Sequence, residues 1–372
     1  MNRESLSDGG LAGLRARAGG GGVPGVVTRQ ATAVLRGRAR GWELGLPPYV
    51  DIGTPERGLE PPGIIAVGGG KGGVGKSLVA ANLGARCAAA GFRVVCFDLD
   101  IGGSNLHTYF GLGQPAATLA DVVVLGRRSL ADCMTPTGIE GLRLVAGGRD
   151  ECWAVPNGID LQLLRRVAHQ ILSARTLGGA DLVILDLGAG TARHTVDFFS
   201  LAHLGLLSVL PEPTSIENAY LFLRTLLLRV AANVGQRLGA AEAAAELTSQ
   251  LVDWNPAENN GRPGGYADRL KQLSGVYPGL IHQISEAMHG RLVGVAVNQA
   301  RSQKDIDVGR SMEVIGERYF GFPTRFCGWL SYDEAAWKSL RNQRLLVCDF
   351  PQSNLARRIN ELTRSVVSHL GY

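Results

Sequence analysis

The chain has 372 residues, 45% hydrophobic and 19% charged, with a formal charge of +5 from 38 basic and 33 acidic side chains. That length and balance suit one large domain or a domain with additions, and a modest charge spread among acids demands no polyelectrolyte partner. The six cysteines, at 87, 96, 133, 152, 327 and 348, form no CxxC pair, which argues against a disulfide framework or a paired iron–sulfur or zinc motif and fits a reducing cytoplasm.

The opening "MNRESLSDGG" lacks the charged-then-apolar pattern of a secretory signal. No run of about 18 uncharged apolar residues occurs, so the expectation is a cytoplasmic protein that does not span a membrane. Residues 1–60, with "AGGGGVPG" and "LPPYVDIGTPERGLEPPG", are rich in Gly and Pro and poor in apolar periodicity. This is the texture of a mobile tail, in which only "RQATAVLRGRAR" has the makings of a short basic helix.

From residue 63 short apolar runs alternate with helical stretches. The first, "GIIAVGG", leads into "GKGGVGKS", where Gly70, Gly75, Lys76 and Ser77 satisfy the spacing GxxxxGK[ST] between a strand and a helix. Such a loop turns backbone N–H groups toward phosphates. Its lysine supplies a fixed cation and its hydroxyl faces Mg2+. A nucleotide is therefore expected along Gly70, Gly72, Gly73, Val74, Gly75, Lys76, Ser77 and Leu78. Lys71 is a second lysine in a loop that needs one, in a chain whose other lysines are only Lys271, Lys304 and Lys338.

The next runs are "RVVCFDLD", "LRLVAGG" and "DLVILDLG", separated by the helical pattern "IDLQLLRRVAHQILSA". Asp98, Asp100 and Asp186 thus fall at strand carboxyl ends, where carboxylates hold a hydrated Mg2+ and orient a water on a γ-phosphate. Gly188 and Gly190 would let the following turn approach that phosphate and move when it leaves. "GLLSVLPEP" then feeds "TSIENAYLFLRTLLLRVAA", whose Thr214 and Glu217 have capping-box spacing. Residues 233–290 read as an inserted helical pair around an exposed loop. "RLVGVAVNQ" and the helical "DIDVGRSMEVIGERYF" follow. In the closing "NLARRINELTRSVVSHLGY", Leu355, Ile359, Leu362, Val366 and Leu370 share one helical stripe, suited to the core first and to a membrane surface second. Arginines 341, 344, 357 and 358 suit a solvated face, or else a DNA contact. Strand and helix in repeated alternation mean an α/β fold, a doubly wound, mostly parallel sheet flanked by helices, with its site at the strand carboxyl ends.

The loop "KGGVGKS", the segment "DLDIGGSNL", the turn "DLGAG" and the "VNQ" ending a late strand together resemble the MinD/ParA ATPases with their deviant Walker A loop. The block "GWLSYDEAAWKSLRNQRLLV" is most similar to the flagellar-number (FlhG/FleN) branch. The resemblance covers roughly residues 63–232 and 291–370 and implies a P-loop ATPase domain over 61–372, interrupted at about 233–290. It implies ATP and Mg2+ as ligands and slow hydrolysis coupled to an ATP-dependent homodimer in which Lys71 reaches the partner's phosphates. By the same resemblance Asp100 would position the attacking water and Asp98 and Asp186 the Mg2+ shell. Asn105 would belong to the switch, and Asn298 would meet the adenine edge.

The implied role is spatial regulation of a flagellum or polar complex, with a protein partner or activator and a peripheral membrane position when ATP-bound. The alternatives on this scaffold are a ParA-like partitioning ATPase and an assembly enzyme. An iron–sulfur carrier normally shows a late CxxC and a tyrosine kinase a terminal tyrosine cluster; this chain has neither, with a lone Tyr372. Two departures stand out. Gly188 occupies a position usually written Pro in MinD proteins. "RQATAVLR" lacks the Asp of the DQAxxLR-type motif and has one residue too many between Ala31 and Leu35, so it does not support activation of an FlhF-like GTPase.

Overall fold

The computed structural model describes residues 63–101, 103–153, 161–254 and 264–370, so the tail expected over 1–60 lies outside the described residues. The strands are β1 (Gly63–Gly68), β2 (Val94–Leu99), β3 (Met134–Pro136), β4 (Leu142–Val145), β5 (Leu182–Leu187), β6 (Leu204–Val209), β7 (Leu292–Ala300) and β8 (Thr324–Ser331). They form one eight-stranded sheet ordered β3-β4-β2-β5-β1-β6-β7-β8. All neighbours run parallel except the β3–β4 edge pair.

Around the sheet lie α1 (Lys76–Ala89), α2 (Leu106–Tyr109), α3 (Leu119–Val123), α4 (Leu130–Cys133), α5 (Leu161–Gly178), α6 (Arg193–Leu201) and α7 (Pro213–Arg237). Then come α8 (Ala241–Val252), α9 (Tyr266–Leu273), α10 (Pro278–His289), α11 (Gln303–Val314), α12 (Glu334–Arg341), α13 (Leu346–Asp349) and α14 (Asn354–His369). Because side chains alternate along a strand, Ile64 and Ala66 of β1 join one core with the apolar faces of α5, α6 and α7. Ile65 and Val67 join the other, with α1 and α14. Burial on both faces is why these strands read as unbroken apolar runs.

Two strands and the short helices α2, α3, α4, α6, α12 and α13 escape the sequence pattern. β3 has only three residues. β8, "TRFCGWLS", is an edge strand with a register shift against β7 and Gly328 at φ 149°, which breaks its alternation. The helix α6 has nine residues, too few to show a clear period. Residues 233–290 hold the end of α7 and then three helices among the described residues, α8, α9 and α10, rather than a pair. Of these, α8 and α10 pack against α7.

The start of α7 differs from the expected capping box. Glu212 is the N-cap and Pro213 the first helical residue. A proline, with no N–H to satisfy and φ already fixed, sets the start there and leaves Thr214 inside the first turn. The last helix lays its stripe on the core, with Leu355, Ile359, Leu362 and Val366 all buried. Among the described residues no helix is long and apolar enough to cross a membrane. Of the arginines flagged as a surface patch, Arg358 lies 4.0 Å over the Trp329 ring and pairs with Glu361, and Arg341 lies 5.2 Å over Trp337. Arg357 bonds Asn354, and Arg344 approaches Asp349.

Candidate functional site

The strand order turns about β1. Its neighbours are β5 and β6, so the loop leaving β1 opens between the carboxyl ends of both. Gly73 and Gly75 have φ of 77° and 85°, which side chains with a Cβ resist. Gly75 also has no room, because a Cβ there would lie 2.1 Å from Asn298 Nδ2. At Gly72 and Gly73 a Cβ would meet nothing within 4 Å, so that side of the loop is open.

The rear of the loop is clamped. Ser208 Oγ of β6 and Asn298 Nδ2 of β7 both donate to the Val74 carbonyl, at 2.8 and 2.9 Å. Tying that carbonyl backward helps aim the neighbouring N–H groups forward. The helix α1 then starts at Lys76 with no side-chain cap and no acid in its first turn. Its free N–H groups and dipole favour an anion. Lys76 itself is buried beside them.

The three aspartates do different work. Asp98 and Asp186 are cross-strand partners on β2 and β5, both fully buried. The oxygens of Asp98 are engaged by the chain: Oδ1 accepts from Asp100 N–H at 3.2 Å, and Oδ2 from Ser104 Oγ at 2.6 Å and Leu106 N–H at 2.9 Å. Burial pushes the Asp98 carboxyl up to about 6 in spite of these bonds. Asp186 is pushed well above the carboxylate range by burial and then by the Asp98 charge, against a Ser77 hydrogen bond and the Lys76 charge. Its Oδ1 has no hydrogen-bond partner.

Asp100 lies between two glycines, since a Cβ at Gly103 or Gly188 would come within 3.0 or 2.8 Å of its carboxylate. Glycine at 188 therefore has a local reason, which is room for Asp100. Gly190 N–H donates to Gly69 O at 3.1 Å, so the turn after β5 is bonded to the phosphate loop. Asn105 Nδ2 donates to Gly103 O at 2.7 Å, within the Asp100 loop.

Asn298, read as an adenine contact, is buried beneath the loop with its carboxamide on Val74 O and on Gln299 N–H, 2.8 Å away. Lys71, read as reaching a partner, points to its own chain: Nζ is 3.1 Å from Thr214 Oγ1 and 3.4 Å from Glu212 Oε2. The sequence reasoning missed Ser104, Ser208 and Glu212, and took Thr214 for a cap. "SVLPEPT" did carry a signal, because a serine in an apolar strand and an acid before a helix proline both need a reason.

The residues present fit a magnesium nucleotide. An uncapped helix N-terminus and buried Lys76 suit its phosphates, and an orphaned carboxylate oxygen beside Ser77 suits a hard cation. The profile of the CobQ/CobB/MinD/ParA nucleotide binding domain matches residues 65–346. The antiactivator FleN of Pseudomonas aeruginosa is 34% identical over 168 residues, covering 45% of this chain and 58% of that protein. The flagellum site-determining protein YlxH of Helicobacter pylori is 29% identical over 167 residues, 42% of this chain and 51% of its own. The chain thus spans about half the length of the curated relatives it matches. In fold it is similar to the septum site-determining protein MinD of Pyrococcus horikoshii, solved with Mg-ADP, with a TM-score of 0.52 at 19% identity over 82% of this chain and 95% of that one.

Proposed function

From the premise that this chain belongs to the CobQ/CobB/MinD/ParA nucleotide-binding family, we propose that it is an ATP-dependent dimerising switch that hydrolyses ATP slowly. The observation that carries the reading is the buried Asp186 oxygen without a partner, set beside Ser77, Lys76 and an uncapped helix N-terminus. A buried carboxylate of this kind costs stability unless a ligand completes it.

In this reading the N–H groups from Gly72 to Ser77 cradle the β- and γ-phosphates, and Lys76 fixes the terminal pair. Ser77 and Asp186 would hold magnesium, which when bound would neutralise phosphate charge. Asp98 acts one step back, holding the Asp100–Leu106 loop from inside. Asp100 accepts a hydrogen bond from the attacking water and aims it at the γ-phosphate. The turn 188–190, bonded to Gly69, follows the presence of that phosphate. Asn298 stays under the loop, and its remaining amide hydrogen is the group offered to the adenine edge. Lys71 crosses to the partner's phosphates, so ATP joins two subunits and hydrolysis releases them. The likeness to FleN and YlxH supports placing this switch in the control of a flagellum or another polar structure.

The test is calorimetry with MgATP and MgADP, joined to phosphate release and light scattering against protein concentration. A protein that binds MgATP, sediments as a dimer only with it and turns over more slowly when diluted supports the reading. One that binds no nucleotide overturns it.

A further inference from the structure

We propose that Ser104, backed by Gly147 and Trp153, is a positioning residue for the attacking water, because it fixes the turn that carries Asp100. The inference rests on the proposed function for the role of Asp100 and goes beyond it in naming what holds that carboxylate still. Three donors gather the turn around the buried Asp98 carboxylate: Asp100 N–H, Leu106 N–H and the Ser104 hydroxyl. Two of these are backbone groups, present whatever the side chains. Ser104 is the one that depends on residue identity, and it also continues outward.

Its Oγ accepts from Gly147 N–H at 3.1 Å, which leaves the single hydroxyl proton for Asp98. The 2.6 Å to Asp98 Oδ2 is the separation of a hydroxyl on a charged carboxylate. Gly147 is gripped by its other backbone group as well, since its carbonyl accepts the Trp153 indole N–H at 3.0 Å. Trp153 is itself buried in the core built by α3 and α5, so the series of donors begins in packed interior and ends on Asp98. A Cβ at residue 147 would lie 2.6 Å from the Asp98 carbonyl, so the exits of β2 and β4 are pressed together there. Donors in series strengthen one another. A turn pinned at three points keeps Asp100 from swinging into the space that Gly103 and Gly188 leave around its carboxylate.

The first measurement needs no turnover and follows amide exchange in nucleotide-free protein. In Ser104→Ala the amides of Asp100, Leu106 and Gly147 should exchange at least about fivefold faster, the effect of losing one hydrogen bond. Trp153→Phe should speed the same amides, although the bond it removes is on Gly147. The amides of β1 report opening of the whole fold and should stay as in the parent. Unchanged exchange at Asp100 and Leu106 in either variant overturns the relay, as does equal acceleration of β1 in Ser104→Ala. If Trp153→Phe loosens β1 equally or fails to fold, the Ser104 variants decide.

The second measurement separates positioning from packing. Ser104→Ala should lower kcat for ATP hydrolysis by about ten- to a hundredfold while MgATP affinity stays within about twofold, and Ser104→Thr, which keeps the hydroxyl, should restore most of the rate. An affinity that falls as far as the rate, a rate equal to the parent's, or a threonine variant as slow as the alanine one overturns the proposal. A parent that binds MgATP and never hydrolyses it overturns the reading of the function instead. The hold on Asp100 is then decided by the exchange result.

Discussion

Two residues at the centre of the site make opposite demands on the fold. In the proposed site Lys76 is the fixed cation for the terminal phosphates, and Lys76→Ala should lower MgATP affinity at least a hundredfold in calorimetry without lowering the melting temperature. Asp186 instead opposes folding. Its carboxyl and that of Asp98 are raised by burial, so each holds its proton to a higher pH in the nucleotide-free fold than in the unfolded chain. A raised carboxyl contributes stability that is complete below its unfolded value of about 4 and lost as pH climbs through the folded value, about 6 for Asp98. Nucleotide-free protein should therefore lose on the order of 2 kcal/mol between pH 5 and 7.5 by urea denaturation. Asp186→Asn should flatten that slope and raise stability at pH 7.5, while the Mg2+ dependence of ATP binding weakens. A steeper loss in the variant would refute the assignment. At this scale the sequence made the P-loop and the strand-end aspartates legible, because spacing alone reports them. It hid the partition between Asp98 and Asp186, which depends on which carboxylate the Ser104 and Leu106 donors reach.

Among the elements, the terminal helix α14 carries the sharpest expectation. Its stripe closes one face of the sheet, so Ile359→Ala should cost about 2–5 kcal/mol in urea denaturation, the usual range for emptying a core site. Deleting 355–372 should lower the melting temperature steeply. An unchanged melting temperature with altered vesicle binding would instead make the helix a surface anchor. Strands buried on both faces, such as β1 and β5, were plain as apolar runs. β8 was hidden for a local reason, since the bulge at Gly328 shifts alternation in a strand whose outer edge is open. The start of α7 was misplaced because Thr214 and Glu217 match a capping pattern that Pro213 pre-empts. The displaced threonine then serves Lys71.

For the whole molecule the two lysines should separate cleanly. Lys71→Ala should keep measurable ATP binding as a monomer and fail to dimerise or turn over, because only the reciprocal contact is missing. Asp100→Ala should accumulate as an ATP-bound dimer that barely hydrolyses. Light scattering with ATP and ADP on parent and both variants checks this, and a Lys71→Ala protein that dimerises normally would make that lysine an ordinary loop residue. The grip of Ser208 and Asn298 on one carbonyl of the phosphate loop bears on timing. Three strands fix the loop's shape before any ligand arrives, so no ordering step precedes capture, and nucleotide association should be a single fast phase, linear in ATP concentration in stopped flow. On the proposed dimerising cycle the slow clock would lie in encounters between subunits, and its period would shorten as the protein becomes more abundant, which would let the molecule report its own copy number.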